Sequence, residues 1–105
     1  MAILKPHPGQ ELEFIEFLRE FYGMMYTKQY SRDMLFRDQK KPDTLVHVRI
    51  WLSNEARDSA MNDPDVHRYW KKLPELGAIA STYEELEPIF STQDGIVEDI
   101  LETGV

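Results

Sequence analysis

Two residues of this sequence, His47 and Arg49, have the types and the spacing that proton transfer on a small molecule requires. They stand two apart in the run Thr44 to Trp51, whose alternation reads as a strand, so their Cβ atoms share one side about 6.5 to 7 Å apart. An imidazole takes a proton near neutral pH, a guanidinium holds the anion so produced, and at this separation both reach one planar substrate. His67, beside Trp70, is a second candidate base, because modest burial moves an imidazole across neutrality. Tyr22, Met25 and Tyr26, with Met24 and Tyr30, gather where a first helix ends and could line the mouth of a pocket between helix and sheet, with Trp51 and Trp70 as further aromatic walls. Each candidate also has a plainer reading. His47 and Arg49 fit polar contacts across a subunit interface with Asp or Glu partners, His67 fits a partly exposed packing residue, and the aromatic and methionine cluster fits an ordinary core.

Charge and composition close off other chemistries. The chain of 105 residues has a formal net charge of -7 with scattered lysines and arginines, so no basic patch offers itself to nucleic acid or an anionic membrane. Without cysteine there is no disulfide, thiolate metal site or thiol nucleophile. His7, His47 and His67 lie far apart in sequence and no ligand spacing is present, so no metal and no bound cofactor are expected. Met1 to Leu4 is too short for a signal-peptide apolar region, and no run approaches the roughly 18 apolar residues of a membrane span. The expectation is a cytoplasmic protein, small enough to gain stability from a partner subunit.

The elements that must position these side chains follow from periodicity. Pro6, Pro8 and Gly9 limit a first strand to Ala2 to Lys5. From Gln10 to about Met25, apolar residues at three- and four-residue spacing (Phe14, Leu18, Phe21 or Tyr22, Met25) predict an amphipathic helix. Tyr30 to Arg37 and Thr44 to Trp51, joined by a turn holding Lys40-Lys41-Pro42, predict an antiparallel hairpin. In its second strand Val46, Val48 and Ile50 share one face, and Leu45, His47, Arg49 and Trp51 share the other. Ser53 caps a helix, Asp63-Pro64 restarts it, Val66, Trp70 and Leu73 form its buried stripe, and Pro74 ends it. Thr82 to Phe90 predicts a last strand, and residues 91 to 105 a tail whose Ile96, Val97, Ile100 and Leu101 make a short amphipathic helix. The order is that of an α+β, ferredoxin-like split βαβ fold, an antiparallel sheet with two helices on one face, as one domain over 1 to 90 and a helical tail over 91 to 105.

Four segments then carry a family resemblance: Lys5 to Phe14 (Lys-Pro-His-Pro-Gly-Gln-Glu-Leu-Glu-Phe), Trp51-Leu52-Ser53-Asn54-Glu55-Ala56, Asp63-Pro64 to His67, and Trp70-Lys71-Lys72-Leu73-Pro74-Glu75-Leu76. Together they resemble the antibiotic biosynthesis monooxygenase family of dimeric α+β barrels over roughly Ile3 to Ile89. The resemblance implies a homodimer whose sheets pack face to face, covering the face that bears Leu45, His47, Arg49 and Trp51. It also implies a cofactor-independent monooxygenase acting on a small planar aromatic or quinol-type substrate, with His47, Arg49 and His67 as catalytic candidates and Tyr22, Met25, Tyr26, Trp51 and Trp70 around the substrate. Ala60 stands where catalytic members commonly carry Trp or His, and Trp70 where haem-degrading relatives keep the iron-ligating His, which disfavours haem cleavage. A non-catalytic dimeric module that binds a small apolar ligand, or only associates, is the alternative.

Overall fold

A computed structural model describes residues 1 to 81 and 89. Its elements are β1 (Ala2–Pro6), α1 (Glu11–Thr27), β2 (Ser31–Arg37), β3 (Leu45–Trp51), α2 (Asn54–Met61), α3 (Pro64–Leu76) and β4 (Gly77–Ser81). The strands form one antiparallel sheet in the order β2-β3-β1-β4, so the split βαβ arrangement is present, with its three helices packed on one face of four strands. No helix among the described residues is long and apolar enough to cross a membrane.

Local chemistry sets the boundaries. Pro8 and Gly9, the latter at φ 79°, make the turn that the Gln10 N–H closes onto the His7 carbonyl, and α1 starts immediately after it. Glu11 and Glu13 occupy the first turn of α1, where negative charge suits the dipole. Its far end stops through Gln29 at φ 63°, with Tyr30 N–H reaching back to the Met25 carbonyl and Gln29 N–H to that of Tyr26. Ser53 caps α2 by accepting from Ala56 N at 3.0 Å, and Asp63 caps α3 by accepting from Asp65 N at 2.9 Å, with Pro64 behind it. Asp63 also ties the helices together. Its other oxygen accepts from Lys28 Nζ at 2.7 Å and from the Tyr30 hydroxyl at 2.6 Å, and these bonds hold its carboxyl below the ordinary range.

The core lies between the sheet and α1 and α3. Phe14, Leu18, Phe21 and Met25 of α1 meet Leu4 of β1, Leu45 of β3 and Val66, Leu73 and Leu76 of α3, all buried. Because Leu4 and Leu45 point at the helices, strand alternation sends Ala2, His47, Arg49 and Trp51 the same way. The covered side of β3 is therefore its polar side. The Val46, Val48 and Ile50 side, with Met34 and Phe36 of β2 and Ile3 of β1, faces away from the helices, which corrects the expectation that the His47 face awaits a partner's sheet.

Two boundaries also differ from expectation. Helix α3 runs through Pro74 to Leu76, because Pro74 falls in the last turn and loses a single intrahelical bond there, while buried Leu76 anchors the end and its carbonyl accepts from His7 N at 2.8 Å. The fourth strand then begins at Gly77 with no loop at all. Every residue of β1 pairs with one of β4, from Ala2 with Ser81 to Pro6 with Gly77, so pairing geometry overrides the weak strand preference of Gly-Ala-Ile-Ala. The expected strand Thr82 to Phe90 and the tail from 91 lie outside the described residues, save exposed Ile89. Trp70, expected in the buried stripe of α3, is only half-buried.

Gly77 makes this junction sterically possible. A Cβ there would sit 2.6 Å from the Lys5 carbonyl oxygen, 2.7 Å from the Phe14 ring and 3.0 Å from Pro6 Cα. Two of those neighbours are paired backbone and the third is a fully buried ring, so none gives way cheaply. Gly77→Ala is expected to cost about 1–3 kcal/mol in urea unfolding; an unchanged midpoint and slope would show that β1 and α1 can separate here.

Candidate functional site

The hairpin β2–β3 builds the site. Its register sets Asp33 directly opposite Arg49 and Leu35 opposite His47, all on the helix side. The Asp33 side chain is 1% exposed, and Oδ1 accepts from His47 Nε2 at 2.9 Å and from Arg49 Nε at 2.5 Å. Its Oδ2 accepts from the hydroxyl of fully buried Ser31 at 2.9 Å. Three donors thus converge on one carboxylate. Burial alone would raise the Asp33 pKa, but the His47 hydrogen bond and the charge and hydrogen bond of Arg49 outweigh it and hold the carboxyl below its ordinary value.

His47 responds in the opposite sense to its surroundings. Burial, assisted by the Arg49 charge, pushes its pKa down, and the Asp33 hydrogen bond only partly restores it. The ring is neutral at pH 7. An ionised carboxylate only accepts, so Nε2 carries the proton and Nδ1 keeps a lone pair, the form a general base needs.

Aromatic groups enclose the pair. Tyr22 of α1 stacks on His47 with ring centroids 4.6 Å apart and planes 20° from parallel. The Arg49 guanidinium carbon lies 5.0 Å from the centre of the Phe21 ring and 5.3 Å from that of Trp51, both within cation–π range. His47 and Arg49 open onto a cavity of about 340 Å³, walled by Leu18, Phe21, Tyr22, Trp70, Leu73 and Ile79 among others. That volume suits a ligand of one or two rings. Two polar atoms of these lining residues, Arg49 Nη2 and the Tyr22 hydroxyl, are buried with no partner among the described residues. Burial, before the Asp33 charge, drives the Tyr22 pKa far up, so the phenol stays protonated. An unpaired buried donor costs about 1–3 kcal/mol.

Of the residues singled out from sequence, the structure brings His47, Arg49, Tyr22 and Trp70 together at the cavity, with Trp51 flanking Arg49. It does not bring in the others. Met25 is sealed in the core. Tyr26 is 56% exposed and lies under the Arg32 guanidinium, 4.4 Å from its ring centre. His67 is exposed, edge-on to Trp70, and its Nε2 bonds the Met61 carbonyl, which ties α3 to α2. Ala60, fully buried, offers no functional group. Asp33 was not singled out as a site residue, although alternation places it on the same face as Ser31 and the hairpin sets it across from Arg49.

The architecture can now be matched. SnoaB, a cofactor-independent oxygenase from Streptomyces nogalater, superposes with a TM-score of 0.63 at 18% identity, covering 81% of this chain and 91% of SnoaB. An antibiotic biosynthesis monooxygenase superposes at 0.57 with 16% identity, over 80% of this chain and all of the other. The chain has the antibiotic biosynthesis monooxygenase fold. A conserved Bacteroides thetaiotaomicron protein described as a possible oxidoreductase shares it, at a TM-score of 0.66 and 12% identity over 75% of this chain and 85% of that one. No protein-family model and no curated protein matches the sequence. At these identities the likeness is one of fold, and the chemistry of this scaffold must be read from its own side chains.

The electrostatics yield a direct test. Because the folded state lowers the His47 pKa below 6.5, the unfolded chain binds more protons just under that pH, and stability falls as pH drops below about 6.5. By NMR the His47 ring should titrate below 6.5. Asp33→Asn removes the charge that favours imidazolium, so it should move the titration lower still; an upward move would contradict the pairing.

Proposed function

We propose that this protein is a cofactor-independent monooxygenase acting on a small planar aromatic or quinol-type substrate held in the cavity beside His47 and Arg49. The observation that carries the reading is the buried Asp33–His47–Arg49 cluster, whose His47 and Arg49 line a ring-sized cavity, with a neutral imidazole and a guanidinium that keeps one donor unpaired among the described residues. His47 Nδ1 takes a proton from the acidic position of the substrate, and Arg49 Nη2 stabilises the oxyanion of the resulting electron-rich ring. That anion reacts with dioxygen. For a ring methylene the outcome is a carbonyl plus water: the carbon loses two hydrogens and keeps one oxygen atom, the second oxygen leaves with those hydrogens, and the substrate supplies all four electrons. The apolar remainder of the cavity keeps bulk water from the anion.

A binding role without turnover is favoured by one observation, that Asp33 and Tyr22 already engage His47 within the protein. Oxygen uptake separates the two readings. With a panel of anthrones, quinols and phenols, the enzyme consumes oxygen, and His47→Ala and Arg49→Ala each lower the rate by about 10²-fold or more. No uptake with any compound, or uptake indifferent to both substitutions, rejects the catalytic assignment.

The same reading includes a homodimer built on the sheet face opposite the helices. Part-buried Ile3, Val46, Val48 and Ile50 and the 51% exposed Phe36 share that face with Met34, Arg32 and Lys5, an apolar centre with charges beside it. Light scattering should give twice the 12.4 kDa chain mass, and Val48→Asp, at the centre of that face, should give the single-chain mass with the helical circular dichroism unchanged. A wild-type monomer, or a dimer indifferent to Val48→Asp, overturns this interface.

A further inference from the structure

Tyr22 lines two cavities: the His47–Arg49 cavity of about 340 Å³, and a second of about 330 Å³ lined also by Ile15, Arg19 and Leu35. Leu35 and His47 are paired across the hairpin on the same face of the sheet, so the two cavities are neighbours over adjacent strands and share Tyr22 as a wall residue. The Tyr22 ring is held from one side by its stack on His47. At its polar end, the hydroxyl is buried without a partner among the described residues.

We propose that Tyr22 is a gating residue that occupies the substrate's own place, and that a ring-bearing phenol or quinol binds by displacing it from His47 into the outer cavity. The inference rests on the substrate class proposed above and adds how the site admits it. Tyr22 is itself a phenol, lying flat on the imidazole of the proposed base with its hydroxyl among the charges of Asp33 and Arg49. A planar phenolic ligand fits the space that the Tyr22 ring vacates and brings an oxygen that can meet the Arg49 Nη2 left without a partner among the described residues. Swinging outward, Tyr22 exchanges an unsatisfied burial of its hydroxyl for space beside Arg19 at the protein surface, and the two cavities merge into one. The stacked and outward positions are then two states of one side chain, and a ligand that binds only the second is weakened by the fraction of molecules still closed.

Anaerobic calorimetric titration with 2-naphthol tests this without turnover. Tyr22→Ala removes the gating ring and should bind 2-naphthol about tenfold more tightly than wild type. Tyr22→Phe keeps the ring and deletes the unpartnered hydroxyl, which favours the closed stack, so it should bind about threefold more weakly and melt at a higher temperature. Equal binding by wild type and both variants, or weaker binding by Tyr22→Ala, overturns the gate; if Tyr22→Ala does not fold, binding by Tyr22→Phe as tight as wild type does so. Absence of oxygen uptake together with the expected binding order would instead sink the oxygenase reading and leave the gate standing.

Discussion

A carboxylate with a 1% exposed side chain, set between an imidazole and a guanidinium, is the constraint around which this fold is arranged, since a buried charge persists only where donors converge on it. Asp33 has three: His47, Arg49 and Ser31. They come from two strands, so the register of the hairpin is fixed electrostatically as well as by side-chain shape. A slip by one residue would carry Asp33 to the open face and leave the Arg49 charge buried and unpaired.

Polar groups on the helix side have a consequence on the other. Alternation is strict, so giving His47 and Arg49 to the interior gives Val46, Val48 and Ile50 to the exterior. The inner layer is closed mainly by α1 and α3, with Phe14, Phe21 and Val66 supplying the apolar contacts that β3 does not. The other face takes Val46, Val48 and Ile50 with Ile3, Met34 and Phe36, beside Arg32 and Lys5. One assignment of alternate residues thus sets a polar cavity wall on one side of β3 and its aliphatic side chains on the other.

Much of this was legible in the sequence, and what was not has definite causes. The stripe of α1 and the Ser53 and Asp63-Pro64 caps are local signals, and they locate helices without reference to anything distant. The pairing of His47 with Arg49 followed from their spacing alone. Which side of β3 faced the helices did not, because Val46, Val48 and Ile50 are the residues that hydrophobicity would turn inward, whereas the inward face carries Leu45 and Trp51 in the packing and pairs its charges with Asp33 across the hairpin. Fourth-strand residues Gly77 to Ser81 carry little strand propensity of their own; they are ordered by β1 and by the close approach that lacks room for a Cβ. Pro74 is a stop signal in sequence, but a buried Leu76 two residues on outweighs the single bond it removes.

The cluster also bears on what the scaffold is for. Replacing a buried ionic group by apolar residues of similar volume is often neutral or stabilising, so stability gives no reason for Asp33, His47 and Arg49 to lie where a leucine and its neighbours would pack. Were their role only to fix the register, every donor would be expected to find an acceptor. Among the described residues Arg49 Nη2 has none, and neither does the Tyr22 hydroxyl. Both atoms are buried but belong to residues that line the cavity, unlike the equally unpartnered Gln10 Oε1 and Arg32 Nη1, whereas Asp33, the anion that orients the pair, accepts from three donors. A saturated carboxylate behind a guanidinium with one N–H to spare is the asymmetry that the proposed site requires, in which supporting groups are spent on positioning and a donor is left for the substrate once Tyr22 has moved.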